Sequence, residues 1–239
     1  MHATGNRAKA ALIGVVIPAH NEADLLPHAL RAVDVSARHW ALRREPVQVI
    51  VVLDGCTDGS GDIARRAGAR TLAMPGGNVG AARAAGAELA LAAGARWLAF
   101  TDADSVVAPG WLSAQLALDC DAVCGTIEVS DWGCNSELLR RQHEASYRDA
   151  DGHRHIHGAN IGVSAAAYRR AGGFQPHASS EDVALVRALE AAGVRIAWSA
   201  RPRVATSSRR NPRAPAGFGA LVARVERELC GRRLKGAAA

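Results

Sequence analysis

Apolar and polar positions alternate in blocks along the first hundred residues. Leu12 to Ile17 is a continuous apolar run ending at Pro18, and Val47 to Leu53 is a second, rich in Val and Ile. Arg70 to Met74 and Arg96 to Thr101 are two more runs of strand length. Unbroken apolar runs of this length suit strands buried on both faces. Helical patterns fill the gaps. Glu22 to Ala37 puts Leu25, Leu26, Ala29, Leu30 and Val33 on one face. Asp58 to Ala67 reads as a short helix, and Gly80 to Ala93 as an Ala-rich helix closed by Gly94. Strands separated by single helices predict an α/β fold with a mostly parallel central sheet flanked by helices.

The second half is less regular. Ala122 to Val129 predicts a strand, whereas Ser130 to His157 is polar, His-rich and without a clear period. Ile161 to Ser164 predicts a short strand, Ala165 to Ala171 a short helix and Gly172-Gly173 a break. Glu181 to Ala192 is an amphipathic helix followed by a strand over Arg195 to Trp198, and Gly217 to Leu234 predicts a terminal helix. No internal repeat and no linker divides the 239 residues.

Composition sharpens this picture at three points. Aromatic residues are 4% of the chain against 49% hydrophobic, so the core must be built from small and aliphatic side chains. The formal net charge of +6 is uneven: from Arg201 onward there are ten Lys/Arg and two Glu, and the rest of the chain is slightly acidic. A basic tail of this kind suits an anionic substrate, an anionic membrane surface or solvent. The five cysteines (Cys56, Cys120, Cys124, Cys134 and Cys230) form no C-x-x-C pair, which suits reduced thiols. No apolar run approaches membrane-span length, and Ala10 to Pro18 reads as a first strand rather than a signal segment. The expected location is cytoplasmic.

The polar clusters Asn21-Glu22, Asp54 to Asp58, Gly76 to Arg83 and Asp102 to Asp104 each fall just after a predicted strand. Ligands of parallel α/β sheets bind at those carboxyl ends. Asp102 and Asp104, two residues apart at a strand mouth, can share one divalent cation, and hard cations such as Mg²⁺ or Mn²⁺ favour carboxylate and phosphate oxygens. Taken alone, the pair also fits an Asp-rich turn.

Six segments in order carry a family resemblance: Val15 to Glu22, Val52 to Ser60, Asn78 to Arg83, Asp102 to Asp104, Gly172 to Phe174 and Glu181-Asp182. Together the chain resembles a family 2 glycosyltransferase, over about residues 12 to 205. The resemblance implies a single GT-A (Rossmann-like) domain over residues 12–208, between an N-terminal extension (1–11) and a basic tail (209–239). It divides that domain into a nucleotide-binding half (12–105) and an acceptor-binding half (106–208). It implies transfer of a sugar from a nucleotide-diphospho-sugar, a UDP-sugar by expectation, to a hydroxyl acceptor: a small molecule, a lipid-linked group or a saccharide.

Roles follow position by position. Pro18, Ala19, His20, Asn21 and Glu22 would floor the nucleotide pocket. Asp54 would accept from the base, either the N3–H of uracil or the amino edge of guanine. Gly77 and Asn78 would border the nucleotide, and Arg83 would reach it or its phosphates. Asp102 (near the ribose and metal), Ala103 and Asp104 (directly on the metal) would hold Mn²⁺ or Mg²⁺. Asp182 would be the general base of an inverting, non-processive enzyme, with Glu181 positioning the acceptor. His157, Gly158, Asn160, Gly173, Phe174, Arg209 and Arg210 would form the acceptor side.

The sequence departs from the family pattern at Ala205-Thr206-Ser207-Ser208, where many members place a metal-binding His. The Q-x-x-R-W motif of processive synthases is also missing. Two alternatives stand beside this reading: a nucleotidyltransferase, although the loop after the first strand has no Gly or Lys, and a non-catalytic nucleotide-sugar-binding protein. His153, His155 and His157 alternate and would share one face of a strand. Arg224 onward suggests weak contact with an anionic membrane, peripheral at its inner face. Nucleic acid is not an expected partner.

Overall fold

The structure is a computed structural model that describes residues 11–131 and 137–207. The expected terminal helix, the arginines from Arg209 onward, Cys134 and Cys230 lie outside the described residues.

One eight-stranded sheet runs through the molecule in the order β3-β2-β1-β4-β7-β6-β8-β5. Its first half follows the sequence closely. Strands β1 (Leu12–Ala19), β2 (Val47–Asp54), β3 (Arg70–Met74) and β4 (Ala95–Phe100) are all parallel. Helices α1 (Leu26–Ala37), α2 (Ser60–Arg66) and α3 (Val79–Ala93) connect them. Helix α1 starts at Leu26 rather than Glu22. Pro27 suits a helix's first turn, and Glu22 to Leu25 form a separate turn in which the Glu22 carbonyl accepts from Leu25 and Leu26.

The second half is mixed rather than parallel. After β5 (Val106–Val107) and α4 (Trp111–Leu116) come β6 (Ala122–Asp131), α5 (Glu137–Ser146), β7 (Ile161–Ser164) and α6 (Ala165–Arg170). Helix α7 (Glu181–Ala191) and β8 (Ile196–Ser207) follow. Strand β7 is antiparallel to β4 and β6, β6 is parallel to β8, and β5 is antiparallel to β8. Among the described residues, no helix is long and apolar enough to cross a membrane.

Successive residues of β1 feed opposite layers, as strand geometry requires. Val15 and Ile17 pack with Leu26, Leu30, Val33, Trp111 and Leu112 on one face. Val16 packs with Ala82, Ala87, Ala90, Leu185 and Leu189 on the other. Helix α3 is Ala- and Gly-rich because it lies against the sheet: a Cβ on Gly86 would collide with Val16 and Val52. Helix α5 carries the i,i+4 pairs Arg140–Glu144 and Arg141–Glu137 on an exposed side.

Strand β8 runs nine residues past the expected end at Trp198. Its pairing with β6 jumps from Gly125↔Ser199 to Thr126↔Arg203, which bends the strand at Pro202. Asn160 staples this bend. Its Nδ2 donates to the Thr126 carbonyl at 2.7 Å and the Pro202 carbonyl at 2.9 Å, and its Oδ1 accepts from Trp111 Nε1 at 2.8 Å. Asn160, expected on the acceptor side, is fully buried with both ends of its amide engaged by the fold, and so braces this bend.

Asn160→Ala should therefore lower stability by about 2–4 kcal/mol, because it orphans two buried carbonyls and an indole N–H. A thermal melt reads this. An unchanged melting temperature would contradict the bracing role.

Candidate active site

The loops after β1 and β2 are stitched to each other at the sheet's carboxyl edge. His20 Nδ1 lies 2.5 Å from the Asp54 carbonyl oxygen. Asn21, held at φ 53°, accepts from the Thr57 N–H at 2.8 Å, and Cys56 Sγ donates to the Ala19 carbonyl at 3.1 Å. The Glu22 N–H donates to Ser60 Oγ at 2.9 Å. Cys56, Thr57 and Ser60 thus hold the segment from Ala19 to Glu22 in place, a role their chain positions alone did not reveal.

The Asp54 carboxylate ends β2 and is nearly buried. Its Oδ2 accepts from the N–H groups of Gly77 (3.3 Å) and Asn78 (3.2 Å), while its buried Oδ1 has no hydrogen-bond partner among the described residues. Asn78 caps α3 by accepting from the Ala81 N–H at 2.9 Å, and its Nδ2 donates to the Pro176 carbonyl. Gly55, Gly76 and Gly80 serve protein packing. Gly55, at φ 66°, lies against Gly76, and a Cβ on Gly80 would collide with the Gln175 carbonyl.

Arg83, one turn into α3, is 3% exposed. Its Nη2 donates to Asp102 Oδ1 at 2.5 Å and its Nη1 donates to Glu181 Oε1. The guanidinium sits 5.8 Å from the Phe174 ring centroid. Phe174 is itself buried, edge-on to Phe100 at 4.9 Å, and its N–H donates to Tyr168 Oη. Gly173, at φ 68°, turns the chain into this position. Of the two residues expected on the acceptor side, Phe174 lies against Arg83 and Gly173 against the Tyr168 ring.

Burial raises the Asp102 carboxyl above its ordinary range, Arg83 opposes this, and Asp104 adds to it. Glu181 is raised in the same way, by burial first, against the pull of Arg83. Ala103 is buried between the two aspartates. Asp104 Oδ1 accepts from Ser105 Oγ at 3.2 Å, and that hydroxyl lies 3.2 Å from Thr206 Oγ1. The segment without the family's His therefore brings a hydroxyl close to the aspartate pair. Two adjacent carboxylates whose charges oppose each other fit a hard divalent cation. Among the described residues, no cluster of three or more His, Cys, Asp or Glu side chains could hold a metal.

Helix α7 opens with Glu181 and Asp182 after Ser180, which is held at φ 58°. Asp182 Oδ2 accepts from the Gly158 N–H at 2.9 Å and Oδ1 from the Val183 N–H at 2.8 Å. Gly158 has no Cβ because one would collide with the Arg83 guanidinium. His157 leads into it, with Nε2 3.0 Å from Tyr147 Oη. His153, His155 and His157 are not on a strand. Tyr147 and His155 stack at 4.2 Å, His153 stacks on His155 at 5.6 Å, and His153 is buried. Burial and the neighbouring His153 lower the pKa of His155, and burial pushes that of the Tyr147 hydroxyl up to about 12.

Asp54, Arg83, the Asp102/Asp104 pair and Glu181-Asp182 thus lie along one connected edge of the sheet. A family model described as Glycosyl transferase family 2 matches residues 14–172. The chain belongs to glycosyl transferase family 2.

Among solved structures, this family 2 glycosyltransferase resembles S. aureus TarS in complex with UDP-GlcNAc. The TM-score is 0.65 at 15% identity, over 89% of this chain and 64% of that one. A second TarS structure matches with a TM-score of 0.62 at 16% identity, over 82% of this chain and 37% of that one. This chain therefore spans less than two thirds of either TarS chain. A mycobacterial protein matches with a TM-score of 0.57 at 20% identity, over 86% of this chain and 69% of that one. These likenesses establish the shared fold. A search of curated proteins finds no match.

Gly158→Ala should strain the junction of Arg83 and Asp182, costing about 1–3 kcal/mol as overpacking does. Chemical denaturation measures this, and a midpoint equal to wild type would contradict the tight fit.

Proposed function

We propose that this protein transfers a glycosyl group from a UDP-sugar to a hydroxyl acceptor, with inversion and with Asp182 as the base. The observation that carries the reading is the continuity of the site. The candidate base is pinned by the Gly158 N–H. Its neighbour Glu181 is linked through Arg83 to Asp102. Donor and acceptor machinery therefore share one rigid set of contacts.

At the donor end, the buried and unpartnered Asp54 Oδ1 is an acceptor waiting for a donor, as a uracil N3–H would be. The TarS structures, in complex with UDP and UDP-GlcNAc, lend support to uracil over guanine through their shared fold. Asp102 and Asp104 would hold Mn²⁺ or Mg²⁺, which supplies positive charge to the departing diphosphate. The chain's own residues do the rest. The Asp182 carboxylate accepts the acceptor's hydroxyl proton as that oxygen bonds to the anomeric carbon. The bond from that carbon to the diphosphate oxygen breaks, and its electron pair leaves with the nucleotide. The Val183 and Gly158 N–H groups fix the orientation of Asp182.

Turnover of a nucleotide-sugar panel by wild type and Asp182→Asn tests this. The amide keeps the shape but cannot take the proton, so kcat should fall by about 10² to 10⁴ with little change in UDP affinity. Near-normal turnover of the variant would reduce Asp182 to a helix-end residue and favour a retaining route.

A further inference from the structure

Arg83 is placed unlike a residue that only supports a fold. It is buried, and it donates hydrogen bonds to two carboxylates of the candidate site, Asp102 on the donor side and Glu181 on the acceptor side. Its Nε is buried with no hydrogen-bond partner among the described residues. Gly158 clears the space that the guanidinium fills, and Phe174 lies against it. Asp102 and Asp104 bring two negative charges to one turn, and Glu181 and Asp182 bring two more close by. Arg83 is the cation in hydrogen-bonding contact with both groups.

We propose that Arg83 is a resident counter-cation: it holds Asp102 while the site is empty and yields that carboxylate to the divalent cation entering with the donor, while Glu181 keeps the guanidinium. This rests on the reading of Asp102 and Asp104 as a metal pair. It deepens that reading by giving the pair an order of assembly. A cation arriving alone must compete with Arg83 for Asp102 and meets the guanidinium's repulsion. A cation arriving with a diphosphate brings compensating negative charge, so metal and nucleotide enter together. Glu181 sets how firmly Arg83 is held and how readily it leaves Asp102, which makes Arg83 a positioning residue between the donor site and the helix that carries Asp182.

The test is Mn²⁺ binding, read as the loss of the free-Mn²⁺ paramagnetic signal, with and without UDP. It uses the full chain as wild type, Arg83→Met, Glu181→Gln and Asp182→Asn. Wild type should bind Mn²⁺ weakly alone and at least about tenfold more tightly with UDP. Arg83→Met should bind Mn²⁺ alone about tenfold more tightly than wild type, with a smaller effect of UDP. Glu181→Gln leaves the guanidinium to Asp102, so Mn²⁺ alone should bind more weakly than in Asp182→Asn. That variant removes a neighbouring charge from a residue that makes no hydrogen bond to Arg83. Equal or weaker Mn²⁺ binding by a folded Arg83→Met overturns the proposal. So do equal affinities in Glu181→Gln and Asp182→Asn, and this comparison decides the matter if Arg83→Met does not fold. Wild type that binds no Mn²⁺ even with UDP overturns the metal reading and this proposal with it. Tight wild-type binding that Arg83→Met leaves unchanged spares the metal reading and overturns the counter-cation alone.

Discussion

The ion triad of Arg83 with Asp102 and Glu181 is the constraint around which this site is organised. A guanidinium 3% exposed to solvent cannot stand alone, and neither can the Glu181 carboxylate buried beside it, whereas Asp102 is half-buried. Taking one partner from a buried ion group typically costs about 3–5 kcal/mol, because a charge is left uncompensated. The triad therefore fixes three segments at once: α3, the turn after β4 and the start of α7. Its geometry also dictates small features nearby. Residue 158 has to be glycine for the guanidinium to fit, and that glycine's N–H then reaches Asp182.

The rest of the fold makes the triad attainable. Helix α3 must lie close to the sheet for Arg83 to reach the edge of β4, and its Ala and Gly residues permit that approach. Phe100, Tyr168 and Phe174 form an apolar floor beneath the charges. In such surroundings charge–charge interactions are stronger than in water, which ties the ionisation of Asp102 and Glu181 to Arg83. The 4% aromatic content is thus concentrated in part where it insulates the site.

The parallel half of the sheet was legible in the sequence because β1, β2 and β4 are largely buried and read as apolar runs separated by single helices. The polar clusters after those strands announced the site's edge for the same reason. The second half was harder to read. Strand β5 at the sheet's end is only two residues long, and β8 mixes polar with apolar residues and bends at Pro202, so neither its length nor its pairing shows in a local pattern. Helix α5 is mostly polar, so few apolar positions announce it. Among site residues, Asp54, Asp102 and Asp182 were identifiable by type and position. The structural roles of Asn160, Gly173 and Phe174 were not, because their partners are distant in sequence: Trp111 and Pro202 for Asn160, Arg83 for Phe174.

The most direct test of the triad's central place is the side-chain ¹⁵N NMR of Arg83, assigned by its loss in an Arg83 variant. A buried guanidinium fixed between two carboxylates should show separate, slowly exchanging Nη resonances, because neither C–N bond can rotate while both ion pairs hold. A single averaged Nη signal in rapid exchange with water, like that of an exposed arginine, would contradict the account.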